Sequence, residues 1–209
     1  MLRILIADDH TVVRKGLKQI LEDQFEGILI EEVPNAETLI EAVHTASWDV
    51  VVSDINMPGK SGLDALKEIR VNFPELPVLI LSMHPEEHYA LRVLKSGASG
   101  YLSKDSASEE LVKAVEKVLS GKKYFSPFVL EQLASNVDTD MSKSAYELLS
   151  NREFDVMKLL ASGKSVSDIA EKLQLSVTTV STYRTRVMAK TGLKTNSDLT
   201  KYALENQLL

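Results

Sequence analysis

The chain has 209 residues, 44% of them hydrophobic and 26% charged, which is the composition of ordinary globular material in one or two domains. It contains no cysteine, so disulfides, thiolate metal sites and cysteine nucleophiles are excluded, and its first apolar run closes on two acids, unlike a signal peptide. No run approaches the ~20 apolar residues of a membrane helix, so no membrane association and a cytoplasmic location are expected.

From the start, strand and helix patterns alternate. Leu2–Ala7 is an apolar run ending in Asp8-Asp9, and Val13, Leu17, Ile20, Leu21 and Gln24 then trace one helical face. Ile28–Val33 reads as a second strand, and Asn35 suits the N-cap of a helix from Ala36 to about Ala46. Val50-Val51-Val52 is a β-branched run ending at Asp54, after which Met57-Pro58-Gly59 breaks the chain before a helix around Leu63–Val71. A fourth strand, Pro77–Ser82, precedes a helix that has Pro85 in its first turn and stops near Gly97. The fifth strand, Ser99–Ser103, runs into Lys104, and the stripe Leu111, Val112, Val115, Val118, Leu119 marks a helix ended by Gly121. Uninterrupted apolar strands between amphipathic helices predict a doubly wound parallel α/β sheet over residues 1–121.

Residues 122–148 read as a linker, with a short helix after Ser126-Pro127 holding Val129, Leu130 and Leu133, then a polar stretch without period over 135–145. Residues 149–209 are all helical in pattern. Ser150-Asn151-Arg152-Glu153 is a capping box, Ser165 and Ser176 are further N-caps, and a helix from Val177 to about Thr191 stops at Gly192 before a last helix begins at Thr195 or Asn196. Two helices joined by a very short turn form a helix-turn-helix pattern. The net charge of −6 is split, with +3 on residues 149–209 and −9 on the remainder. Residues 172–197 hold Lys172, Arg184, Arg186, Lys190 and Lys194 and no acid. That stripe is the minimal footprint for nucleic acid, though a solvated helix face has the same composition.

In a parallel sheet, ligands gather at the carboxyl ends of the strands. The pattern brings Asp8, Asp9, Asp54, Ser82 and Lys104 to that edge. Clustered carboxylates repel, so their pKa values rise or a cation binds, and an all-oxygen donor set favours Mg²⁺. With the charge screened, Asp54 can attack a phosphoryl group, while Lys104 and Ser82 hold the phosphoryl oxygens. A lone Asp at a strand end would more often cap a loop; five polar residues converging there is a different matter. His84 and His88 are four apart, like a zinc pair, but no third ligand accompanies them. A nucleotide-binding protein of this fold wants a phosphate-cradling loop after the first strand, where Asp8-Asp9 would repel phosphate. An aspartyl phosphatase commonly carries a second Asp two residues past the first, where this chain has Asn56.

Asp8-Asp9, Asp54-x-x-Met-Pro-Gly, Ser82, Tyr101 and Lys104 resemble the receiver domain of bacterial two-component response regulators. Leu149-Ser-Asn-Arg-Glu, Ile169-Ala-Glu-Lys-Leu and Thr179-Val-Ser-Thr-Tyr-Arg-Thr-Arg resemble the LuxR-type helix-turn-helix of the NarL/FixJ class, with a helix most similar to BvgA/EvgA-type regulators. The resemblance implies a flavodoxin-like (βα)5 receiver with a five-stranded parallel sheet, joined to an all-α four-helix DNA-binding domain. It implies Asp54 as phosphoacceptor for a sensor histidine kinase, and Mg²⁺ on Asp9, Asp54 and the Asn56 carbonyl, with Asp8 acting largely through water. Ser82 and Tyr101 would be the switch, Tyr101 swinging inward behind Ser82. Many receivers have a cis-proline after the lysine; here Asp105 follows Lys104, and a cis bond before a non-proline costs ~2.5–4 kcal/mol, so a trans peptide is expected. A regulator of this architecture acting without phosphorylation, through protein partners, is the alternative.

On a helical wheel of the helix from Val177 to Thr191, Val180, Val187 and Thr191 share the core side. Thr178, Thr182, Thr185, Arg186 and Ala189 lie opposite and are expected in the DNA major groove, with Ser181 beside them. Arg184 and Lys190 fall nearer the core side and on a flank, where long side chains can reach phosphates. Leu199, Tyr202 and Ala203 in the last helix, with Leu208-Leu209, are expected to contribute to a homodimer on double-stranded DNA.

Overall fold

The structure, a computed structural model, describes every residue except Pro85, 136–144 and Gln207. Pro85 and most of the polar stretch at 135–145 therefore lie outside the described residues. The chain divides into two compact units, Met1–Asn136 and Val137–Leu209.

In the first unit, β1 (Arg3–Ala7), β2 (Leu29–Val33), β3 (Val50–Asp54), β4 (Val78–Ser82) and β5 (Gly100–Ser103) form one parallel sheet of order β2-β1-β3-β4-β5. The strands alternate with α1 (Thr11–Gln24), α2 (Ala36–Thr45), α3 (Gly62–Asn72), α4 (Glu86–Lys95) and α5 (Ala107–Leu119), giving the flavodoxin-like architecture expected from the sequence. Every residue of β3 and β4 is buried, the physical reason that these strands read as continuous apolar runs. Ile4, Ile6, Val50, Val52, Leu79 and Leu81 meet Leu111, Val115 and Val118 of α5 and Leu17 and Leu21 of α1 in one core cluster. Asn35 caps α2 by accepting the Thr38 amide, and Ser61 and Asp64 form a reciprocal capping box that starts α3.

Register brings the polar residues level. Ala7 pairs with Ser53, Asp54 with Leu81 and Ser82 with Ser103, so Asp8, Asp54, Ser82 and Lys104 all emerge at the carboxyl edge. The strand order reverses between β1 and β3, which opens a crevice at their ends.

The chain after α5 does not leave the sheet at once. Tyr124 lies beside Gly100: the Tyr101 amide donates to the Tyr124 carbonyl at 2.9 Å and the Tyr124 amide to the Ser99 carbonyl at 2.8 Å. This covers part of the outer edge of β5, which would otherwise present unpaired amides and carbonyls. The approach needs glycine, because a Cβ at position 100 would stand 2.7 Å from Leu79 Cδ1 and 2.9 Å from the Tyr124 carbonyl oxygen. The helix that follows, α6 (Pro127–Ser135), packs on α4, and the Ser126 amide donates to Glu86 Oε1 at 3.2 Å. The short helix read from the sequence as part of a linker is thus attached to the first unit.

The second unit contains α7 (Asn151–Ala161), α8 (Val166–Leu173), α9 (Val177–Thr191) and α10 (Asn196–Glu205). Ser150/Glu153, Ser165/Asp168 and Thr195/Asp198 are capping boxes, and Ser176 caps α9. The α8–α9 turn is closed by Gln174 in the left-handed region (φ 52°), the one non-glycine residue so placed among the described residues. Its tightness sets the helix-turn-helix. Phe154, Met157, Ile169, Val180, Val187 and Leu199 fill the core. The last helix departs from expectation. Leu199 and Ala203 are fully buried in a helix that packs on α7, and the Tyr202 hydroxyl accepts the Tyr146 amide at 3.2 Å. The apolar stripe expected to pair two copies is the inner face of α10, while Leu204 and Leu209 are the exposed apolar residues there.

Candidate functional site

Asp54 ends β3 with its carboxylate almost wholly buried, and the Lys104 ammonium donates to its Oδ2 at 2.7 Å. The same ammonium lies 2.6 Å from Oδ2 of Asp8, which is fully buried. Lys104 thus bridges two of the three carboxylates. Burial raises the Asp54 carboxyl to about 6, against the attraction of Lys104 and with the repulsion of Asp8 adding to it. Lys104 is itself raised: burial opposes its charge, but Asp54 and Asp8 outweigh that. At neutral pH the site holds a largely ionised buried carboxylate clamped by a cation.

Asp9 and His10 complete the cluster. The His10 amide donates to Asp8 Oδ1 at 2.8 Å, and its Nδ1 lies 2.8 Å from Asp9 Oδ1. Ligand atoms of Asp8, Asp9, His10 and Asp54 all fall within 4.8 Å of one another. Asp8 Oδ2 and Asp9 Oδ1 are buried and take no hydrogen bond, only the ion-pair approaches of Lys104 and His10. Three carboxylates against one lysine leave a deficit of positive charge in a space of that size. An oxygen-rich donor set whose buried oxygens meet only one lysine and one histidine fits a hard divalent ion such as Mg²⁺.

The far side of the crevice is built on His84. Its amide donates to Ser82 Oγ at 3.0 Å, its carbonyl accepts the Tyr101 hydroxyl at 2.6 Å, and its ring stacks on Tyr89 with centroids 4.1 Å apart. Its Nε2 is 2.7 Å from Asn56 Nδ2. Tyr101 is buried. The Ser82 hydroxyl accepts at this position, so its own proton remains available to a group arriving beside Asp54. The loop carrying Asn56 folds close because Gly62 donates its amide to the Ile55 carbonyl at 2.9 Å, and a Cβ at Gly62 would collide with the Asp54 carbonyl. The Lys104–Asp105 peptide is trans, as Asp105 requires. The zinc-pair spacing of His84 and His88 does not announce the contacts of His84 with Asn56 and Tyr101, which lie 28 and 17 residues away in sequence.

Residues 4–116 match the response regulator receiver domain, and residues 147–203 match the bacterial regulatory proteins of the luxR family. The chain belongs to the response regulators. Over 210 residues it is 35% identical to the response regulator UvrY of Escherichia coli K12, covering 100% of this chain and 96% of that protein. It is 37% identical over 215 residues to the oxygen regulatory protein NreC of Staphylococcus aureus MRSA252, covering 100% and 99%. A structure of RcsB from Salmonella enterica serovar Typhimurium, bound to promoter rprA in the presence of phosphomimetic BeF3−, aligns with a TM-score of 0.63 at 28% identity, covering 97% of this chain and 98% of that one. The regulator's receiver is therefore the α/β unit, and its luxR-type domain is the helical one.

In the luxR-type domain, Thr178, Ser181, Thr182, Thr185, Arg186 and Ala189 are exposed along α9, while Val180 and Val187 face the core. The two flanking cations are engaged inside the domain. Arg184 Nε donates to Asn196 Oδ1 at 3.3 Å, and the Lys190 ammonium donates to Glu153 Oε2 at 2.6 Å. Burial raises Glu153, but the Lys190 ammonium and the Ser150 amide outweigh it and hold the carboxyl below its usual value. The helical wheel makes Lys190 a residue free to reach phosphate; its ammonium is instead shared with the cap of α7. No signal in the sequence around Lys190 announces Glu153, which lies 37 residues away. Among the described residues no helix is long and apolar enough to cross a membrane.

Proposed function

We propose that this regulator accepts a phosphoryl group on Asp54 from a sensor histidine kinase in the cytoplasm and then binds double-stranded DNA as a homodimer to control transcription. The observation that carries the reading is the Asp54 carboxylate, buried at a strand end with Lys104 at 2.7 Å and Asp8 sharing the same ammonium. An Asp54 oxygen attacks the phosphorus of a phosphohistidine, the P–N bond breaks with its electron pair staying on the imidazole, and an acyl phosphate results. Lys104 moves its ammonium toward the incoming oxygens, and the Ser82 hydroxyl donates to one of them. Asp9, Asp54 and the Asn56 carbonyl, with Asp8 beside them, would hold a Mg²⁺ ion, which would supply the charge neutralisation that phosphoryl transfer needs.

Ser82 and Tyr101 are both hydrogen-bonded to His84, so a phosphoryl group that pulls on Ser82 pulls on the whole loop and on Tyr101. Hydrolysis is slow in this reading, because Asn56 offers no carboxyl to serve as acid and base. Thr178, Ser181, Thr182, Thr185 and Arg186 face DNA bases; Arg184 and Lys190 add charge near the backbone. Incubation with acetyl phosphate and Mg²⁺ should add one phosphoryl group by intact mass, and raise affinity for promoter DNA. An Asp54→Asn variant that gains the same mass overturns the assignment of the acceptor; undiminished DNA binding by that variant favours action through protein partners instead.

A further inference from the structure

The centre of the exposed face of α9 is apolar in a particular way. Thr178, Thr182, Thr185 and Ala189 fall within about 60° of one another at ~100° per residue. All four are exposed. Thr182 Oγ1 donates to the Thr178 carbonyl at 3.0 Å, and Thr185 Oγ1 donates to the Ser181 carbonyl at 3.0 Å. Both hydroxyl protons are committed to the helix itself. What these two side chains have left to donate to a base edge is nothing; what they offer is a Cγ2 methyl, joined by the Ala189 methyl a turn further on.

The surroundings state which surface would cover this stripe. Arg186 borders it, Lys172 and Lys194 are exposed in the flanking sequence on either side of α9, and no acid occurs from residue 172 to 197. A methyl stripe edged by cations is complementary to a polyanion that carries apolar groups in a groove wide enough for a helix. In the DNA major groove that group is the thymine 5-methyl, which side-chain methyls contact. We propose that Thr182 and Thr185 determine sequence specificity by reading thymine through methyl–methyl contact, and not through their hydroxyls. The proposal rests on the DNA-binding reading above and adds the chemistry of recognition to it.

The test uses the full-length protein with duplexes obtained by binding-site selection. Each thymine in the selected site is replaced singly by deoxyuridine, which deletes only the 5-methyl. At one or more positions per half-site wild-type affinity should fall about fourfold, the worth of one buried methylene. Thr182→Ser or Thr185→Ser should abolish that discrimination at its own position, whereas Thr182→Val or Thr185→Val should retain it. Circular dichroism of each variant checks folding. Serine variants that still discriminate, valine variants that do not, or a selected site insensitive to every deoxyuridine replacement overturn the methyl readout while leaving DNA binding in place. Failure of the wild type to select any duplex overturns the DNA-binding reading itself, and the inference with it.

Discussion

Asn56 Nδ2 and His84 Nε2 lie 2.7 Å apart, so the loop after β3 is fastened to the loop after β4 beside the Asp54 carboxylate. If Asp54 carries the proposed acyl phosphate, this pair would screen it from attacking water. Because His84 also bonds to Ser82 and Tyr101, the contact with Asn56 and the proposed switch share one residue. His84→Ala should accelerate loss of the phosphoryl group several-fold, and Asn56→Ala should do so through the same hydrogen bond. The double variant should therefore decay no faster than the faster single one, the behaviour of two residues acting as a unit. Decay of the phosphorylated mass after removal of acetyl phosphate measures this; rates equal to wild type in both single variants would sink it.

The Asp54 carboxyl is raised from 3.8 to about 6 by burial, which carries a stability consequence in metal-free protein. The folded receiver keeps this proton between about pH 4 and 6, where the unfolded chain has lost it. Each step up in pH across that window costs the folded state stability, and the loss is complete above about 6. Asp54→Asn, which has no charge to bury, should be the more stable protein at pH 7.5 by at most about 3 kcal/mol, since a tenfold change in a protonation equilibrium is worth ~1.4 kcal/mol. The advantage should shrink at pH 5 and vanish below pH 4. Mg²⁺ should stabilise the wild type and not the variant. Urea titrations in EDTA at several pH values read the difference, and a variant less stable than wild type at pH 7.5 is the contrary result.

The ion pair between Lys190 and Glu153 joins the C-terminal half of α9 to the start of α7. Glu153 is held below its usual carboxyl range although burial pushes it up, because Lys190 and the Ser150 amide prevail. A depressed carboxyl stabilises the fold above its unfolded pKa, and that contribution disappears as pH falls through the folded value. Lys190→Ala should cost the luxR-type domain about 1–2 kcal/mol, more than an exposed pair because Glu153 is left buried, less than a sealed one because Lys190 is half exposed. Hydrogen exchange of α7 and α9 amides in the full chain measures it. The cost should be present at pH 7 and shrink only below the ordinary glutamate value of 4.5, as pH falls through the lower folded one. A constant cost over that range would mean that packing, not the charge pair, is what the lysine provides.

What the sequence made legible and what it hid divide by distance along the chain. β3 and α3 could be read because Val50-Val51-Val52 is a β-branched run and Met57-Pro58-Gly59 breaks the chain before the next helical pattern, both local signals. The Asp8–Asp54–Lys104 edge was legible one step further, because parallel strands of similar length bring their ends level. The Tyr124 pairing with Gly100 was not, since Lys122-Lys123-Tyr124-Phe125 carries no strand period and gains its partner only after α5 has crossed the sheet. The α10 stripe was legible as an apolar face, but a face alone does not tell an own core from a second copy. Leu199 and Ala203 are spent on α7.

Tyr124 supplies the last prediction, through the glycine beside it. A Cβ at Gly100 would stand 2.7 Å from Leu79 Cδ1 and 2.9 Å from both Tyr124 Cβ and the Tyr124 carbonyl oxygen, so neither the sheet nor the returning chain has room. The strain is relieved most easily by the returning chain, which has two hydrogen bonds to lose, whereas β5 is held by β4 along its length. Gly100→Ala should therefore destabilise the receiver by about 1–3 kcal/mol, the range for inserting a methyl into a packed site. The loss should be concentrated at the β5 edge. Hydrogen exchange should quicken at the Tyr101 and Tyr124 amides and extend along α6, whose attachment through Ser126 and Glu86 depends on the same segment. Gly16→Ala is the control: it lies inside α1, a Cβ there meets nothing within 4 Å, and alanine should stabilise by about 0.5–1 kcal/mol. If Gly100→Ala leaves the Tyr124 amide as protected as in the wild type, the returning chain is not what fills the space beside Gly100, and its pairing with β5 is wrong.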